Sequence, residues 1–107
     1  MFTAHIDGLW ERNARMYLIS YDISSDRRRY KVSKELENYG RRVQYSVFEC
    51  RIGKQKMLEL YAKLICLMQD EEEGSIRIYR ICTNCEEQIH TIGTEPGNLA
   101  KEDLFVI

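Results

Sequence analysis

One carboxylate and a dense run of cations stand together in YLISYDISSDRRRYK, residues 17–31. Asp22 ends an alternating apolar run, and Arg27, Arg28, Arg29 and Lys31 follow close behind. A carboxylate is a hard oxygen ligand suited to Mg2+, which takes one or two carboxylates and fills its other positions with water or phosphate oxygens. Guanidinium and ammonium groups hold backbone phosphates without reading bases. The two residue types side by side point to phosphodiester chemistry, in which a metal polarises a phosphoryl oxygen or binds an attacking water. One Asp22 is a poor metal site, but two copies meeting at a two-fold axis supply two carboxylates to one shared ion. The competing reading is that Asp22 merely caps the helix it precedes.

The cations extend past this turn. Between Arg27 and Arg42 the chain carries seven basic residues against Glu35 and Glu37, a local charge of +5 within a chain of net charge −1. Arg41 and Arg42 form a second cluster after Gly40, and a helix between the clusters would hold them roughly 20 Å apart at 1.5 Å per residue. Both clusters could then touch phosphates of one duplex. The basic face shows no interleaved aromatic platform, so sequence-specific single-strand recognition is not indicated. Cys82 and Cys85 make one C-x-x-C, half of a zinc motif, and the only histidines are His5 and His90; a structural role is favoured over a metal or redox one. Cys50 and Cys66 read as small core residues.

The elements that must position these groups follow from periodicity. MYLISYDI (16–23) reads as a buried strand. Ser24 or Ser25 is placed to cap a helix of about fourteen residues with Val32, Leu36 and Tyr39 on its apolar stripe, and Gly40 is placed to end it in the left-handed conformation. RRVQYSVFECRI (41–52) is too long for one strand, so a turn near Tyr45 and Ser46 makes it a hairpin. Residues 54–70 form a second helix, with Met57, Tyr61, Leu64, Ile65 and Met68 on its stripe. SIRIYRIC (75–82) alternates as a strand, and EQIHTIG (87–93) and the terminal DLFVI are further strand candidates. The order β-α-β-β-α-β is that of an α+β, ferredoxin-like domain with two helices on one face of an antiparallel sheet, extended by C-terminal strands. The other face needs a cover, and a homodimer packed sheet to sheet supplies it. A terminal strand could also extend the partner's sheet edge.

At 107 residues, with 44% hydrophobic and 31% charged residues, the chain fits one core. The expected organisation is an extension over 1–15, a domain over 16–93 and a tail over 94–107. No apolar run approaches the ~20 residues of a membrane span, and the first fifteen residues lack the pattern of a secretory signal. The expectation is a cytoplasmic protein with no membrane partner.

Residues 21–49, YDISSDRRRYKVSKELENYGRRVQYSVFE, resemble the signature region of the CRISPR-associated protein two family, in the ordered set YDI, a basic helix, YG and RVQYSVFE. The resemblance implies a homodimer that binds DNA or RNA and supports spacer acquisition by bridging the integrase, CRISPR-associated protein one. It also implies Mg2+-dependent endonuclease activity. Carried onto this chain, the catalytic and metal-binding aspartate is Asp22 and its aromatic neighbour is Tyr21. The helix cations are Arg29 and Lys31, the loop arginine is Arg42, and the supporting strand aromatic is Phe48. With Arg27, Arg28 and Arg41 these cations make up the expected nucleic-acid contacts. Two other functions share the fold: a ribonuclease toxin of the virulence-associated type, and a DNA-bridging subunit without catalysis.

Overall fold

The computed structural model describes residues 14–70 and 73–93. Its elements are β1 (Arg15–Asp22), α1 (Asp26–Glu37), β2 (Arg41–Gln44), β3 (Val47–Ile52), α2 (Lys54–Leu67), β4 (Ser75–Ile81) and a short α3 (Thr83–Glu86). The strands form one antiparallel-paired sheet in the order β2-β3-β1-β4. This is the ferredoxin-like arrangement expected from the element order.

Register assigns every side chain on β1 to a face. Tyr17 lies opposite Cys50, Ile19 opposite Phe48 and Ile78, and Tyr21 opposite Ile76. These residues point toward the helices, where Val32 and Leu36 of α1 and Met57, Leu60 and Leu64 of α2 complete the core. Phe48, Ile19, Leu36, Leu60, Val32 and Cys50 are fully buried. The alternate residues Leu18, Ser20 and Asp22 face the other way, across from Glu49 and Tyr79, Val47 and Arg77, and Ser75. No helix of the described residues covers this second face beyond its end at Met16, where α3 packs.

Local chemistry explains the boundaries. The Ser25 side chain accepts a hydrogen bond from the Arg28 N–H at 3.1 Å and so caps α1, whose first turn carries Asp26. The helix ends at Asn38, two residues before the expected glycine. Gly40 does not adopt a left-handed conformation. It is there because β3 passes close by: a Cβ would lie 2.6 Å from Cys50 Sγ and nearer still to the Glu49 carbonyl. The hairpin turns at Tyr45 and Ser46 as expected.

Three further expectations fail. On α2 the buried positions are Met57, Leu60 and Leu64, whereas Tyr61 and Ile65 are about half exposed. The helix is rotated so that its 57-60-64 row meets the sheet, and Tyr61 and Ile65 line the edge of an open pocket beside Ile76 and Ile78 of β4. Cys66, two residues on from Leu64, is therefore exposed while Cys50 is buried. Residues 87–93 are not a strand: they follow α3, whose Glu86 is held by Arg51 of β3, as irregular chain in which Ile89 and Ile92 stay exposed. The terminal DLFVI lies outside the described residues. No helix of the described residues is long and apolar enough to cross a membrane.

Candidate nucleic-acid site

Asp22 is the last residue of β1, exposed on the open sheet face, and its carboxylate makes no hydrogen bond or ion pair among the described residues. It does not cap α1, since Ser25 holds that position. The strand ends here, where β4 starts opposite it at Ser75 after Gly74, whose φ of +119° disfavours a side chain and where a Cβ would lie 2.9 Å from the Asp22 carbonyl oxygen. Asp22 is thus fixed in backbone and open in side chain. Among the described residues no three His, Cys, Asp or Glu side chains come together as a metal cluster. Within one chain Asp22 is a hard anionic oxygen ligand alone, which suits Mg2+ in kind and needs a second copy in number.

The cations divide among three places. Arg27 and Lys31 are exposed one turn apart on the outer side of α1, and the exposed Lys34 continues that row. Lys34 was not among the expected contacts, although its i+3 spacing from Lys31 places it there. Its ammonium also lies 5.6 Å from the centre of the Tyr30 ring and 3.4 Å from Glu37. Arg28 turns inward and donates to the Leu67 carbonyl at the end of α2, where a cation suits the exposed carbonyls. Arg41 lies on the open sheet face, 3.5 Å from Glu49.

Arg29 and Arg42 meet in one pocket with Tyr21, Asp26, Tyr30, Ser33 and Tyr45. They are not held at opposite ends of α1, because β2 runs parallel to β1 and carries Arg42 back toward the strand end that holds Asp22. Arg29 donates to the Ile23 carbonyl at 2.7 Å and pairs with Asp26, which holds its guanidinium above the usual range. Arg42 donates to the Tyr45 carbonyl, and its guanidinium lies 5.0 Å from the centre of the Phe48 ring. Tyr21 stacks obliquely on Phe48, centroids 6.4 Å apart, and its backbone N–H donates to Ser46 at 3.1 Å. These side chains lock the chain on both sides of Asp22: Arg29 ties down Ile23 and Ser24, and Arg42 and Tyr21 fix the β2–β3 turn. Phe48 is wholly buried and supports Arg42 from below. Tyr30 and Tyr45, 62% and 71% exposed, flank the pocket, so aromatic rings do stand on the basic face. The expectation of no aromatic platform there is corrected: Tyr30 stands within the basic run of α1 itself, and Tyr45 enters from the hairpin turn.

A ferredoxin-like sheet whose second face is largely uncovered by the described residues, a lone carboxylate at the end of its first strand and a cationic first helix define a small α+β protein. More particularly, the chain belongs to the family described as CRISPR associated protein Cas2, whose model matches residues 15–89. It is 50% identical over 91 residues to CRISPR-associated endoribonuclease Cas2 1 of Chloroflexus aurantiacus, an alignment covering 85% of this chain and 98% of that one. It is 40% identical over 87 residues to CRISPR-associated endonuclease Cas2 of Halalkalibacterium halodurans, covering 77% and 90%. Among solved structures it resembles Streptococcus pyogenes Cas2, with a TM-score of 0.64 and 32% identity over 73% of this chain and 99% of that one. It also resembles a chain in a partial Cas6-RT-Cas1--Cas2 complex, with a TM-score of 0.65 and 33% identity over 80% and 94%.

Proposed function

We propose that this chain acts as a two-fold homodimer that holds nucleic acid in CRISPR adaptation, together with the integrase CRISPR-associated protein one, and that it cleaves phosphodiesters in a Mg2+-dependent reaction. The observation that carries the reading is the position of Asp22: an unpaired carboxylate, rigidly based, at the end of a sheet face that no described helix covers. Relatives bear the names endoribonuclease and endonuclease, and one structural neighbour comes from a complex named for both Cas1 and Cas2. Membership of this family favours the adaptation reading over the toxin one.

In the dimer the open faces meet, with Leu18, Val47 and Tyr79 providing apolar contact. Two Asp22 carboxylates would hold the ion; when bound, Mg2+ supplies charge stabilisation at the scissile phosphate and lowers the pKa of a bound water. The chain's own residues do the rest. Arg27, Lys31 and Lys34 grip successive phosphates along about 10 Å of α1 at 1.5 Å per residue. Arg29, Arg42 and Tyr21 keep the segments flanking Asp22 in place. A protein of this kind is expected in the cytoplasm, where its partners are.

The test is cleavage of RNA and of DNA by the purified protein with and without Mg2+, beside binding measured across salt concentrations. Asp22→Asn should lose cleavage by on the order of 10²-fold or more, the scale of removing a group that stabilises developing charge, while binding as well as the parent. Equal cleavage by Asp22→Asn, with intact binding, would leave the bridging role without catalysis.

A further inference from the structure

The pair Cys82 and Cys85 takes no part in the function above. Cys82 closes β4 and caps α3, its Sγ accepting the Cys85 backbone N–H at 3.2 Å. Both residues are exposed. A disulfide needs Cα atoms about 4.4–6.8 Å apart, and residues three apart on one helical turn of ~5.4 Å pitch fall in that range. The dithiol lies at the end of the sheet where β1 begins, away from Asp22, since Met16 pairs with Ile81 and Asp22 with Ser75.

We infer that Cys82 and Cys85 form a thiol–disulfide exchange site that reacts with low-molecular-weight disulfides of the glutathione kind, with Cys82 attacking and Cys85 resolving. The Cys82 thiolate attacks one sulfur of the disulfide, the S–S bond of the small molecule breaks, and one thiolate leaves and takes a proton. Cys85 then gives its proton to water and attacks Cys82 Sγ, expelling the second small thiolate. Two protein thiols are oxidised to one disulfide, and the small disulfide is reduced to two thiols. The two sulfurs are unequal in the sense this order requires. The adjacent Cys85, whose backbone N–H reaches Cys82 Sγ, holds the Cys82 thiol below the usual range with help from the nearby Arg80, and the neighbouring Cys82 side chain raises Cys85. A lower-pKa thiol presents more attacking thiolate at neutral pH. The other cysteines are placed differently: Cys50 is buried and Cys66 stands on α2 without a second cysteine at C-x-x-C spacing.

The reaction is followed by incubating the reduced full-length protein with oxidised glutathione, alkylating free thiols and mapping the products by mass spectrometry. The parent should lose two hydrogens and yield a peptide closed between Cys82 and Cys85. Cys85→Ser should accumulate one glutathione on Cys82, and Cys82→Ser should react at Cys85 at least about tenfold more slowly, following the thiolate fraction. The inference is overturned if the adduct in Cys85→Ser forms no faster on Cys82 than on Cys66. It is equally overturned if the oxidised parent contains disulfides through Cys66 in place of the Cys82–Cys85 bond.

Discussion

Asp22 was readable as a chemical group because its type and its place at a strand end are properties of the local sequence. Its freedom from capping was not, because Ser25 and Asp22 compete for the same helix start and only the backbone decides between them; Ser25 wins by reaching the Arg28 N–H. The same limit applies to the arginines. Five of them sit within sixteen residues as equivalent cations, yet Arg28 ends on the Leu67 carbonyl, Arg29 and Arg42 on loop carbonyls, and Arg41 beside Glu49. Tertiary acceptors, invisible in sequence, sorted them, so replacing Arg27 or Lys31 by Ala should weaken nucleic-acid binding evenly and lower the salt slope by about one each. Cys50 gives a separate prediction at this scale. Burial pushes its thiol up to about 12, so the folded state disfavours the thiolate that the unfolded chain forms near pH 8.5. A raised folded pKa contributes stability that is full below about pH 8.5 and is lost as pH rises toward 12. Thermal unfolding between pH 8 and 11 should therefore fall more steeply for the parent than for Cys50→Ala, measured as the slope of Tm against pH.

The elements themselves were legible because hydrophobic period differs between strand and helix, and β1, α1, the hairpin, α2 and β4 all follow that pattern. Rotation of a helix about its axis is harder to read. On α2 both 57-60-64 and 57-61-64-65-68 satisfy helical spacing, and the sheet selected the first. Leu60→Ala should therefore cost about 2–5 kcal/mol in denaturant unfolding, whereas Tyr61→Ala, half exposed, should cost well under that. Gly40 is the clearest case of a correct residue with a different reason. It was read as a helix terminator and proves to be a contact between the α1–β2 link and β3. Gly40→Ala should destabilise by about 1–3 kcal/mol, the range for forcing atoms into a packed interior, and Gly40→Asn should be worse, although Asn is well tolerated at left-handed helix ends. The segment 87–93 was a strand candidate, but its two isoleucines, Ile89 and Ile92, stand three apart rather than two, and the cysteine cap and the Glu86–Arg51 ion pair turn the chain into α3 just before it.

For the molecule as a whole, the fold class followed from element order, and the open sheet face followed from having only two long helices, both packed on the other face of the four described strands. The face left bare carries Leu18 and Tyr79 side by side across β1 and β4. Tyr79→Glu, at a position 42% exposed, should leave the monomer folded and shift sedimentation toward the monomer, with loss of cleavage following loss of the dimer. That a shared carboxylate pair does the chemistry is the claim on which the functional account turns, and it can be measured by mixing. Parent and Asp22→Asn chains are co-refolded in varied ratio at constant total concentration, and Mg2+-dependent cleavage is read for each mixture. If both Asp22 carboxylates are needed at one site, activity falls as the square of the parent fraction. A fall linear in that fraction would show that each Asp22 works alone, and would contradict the account.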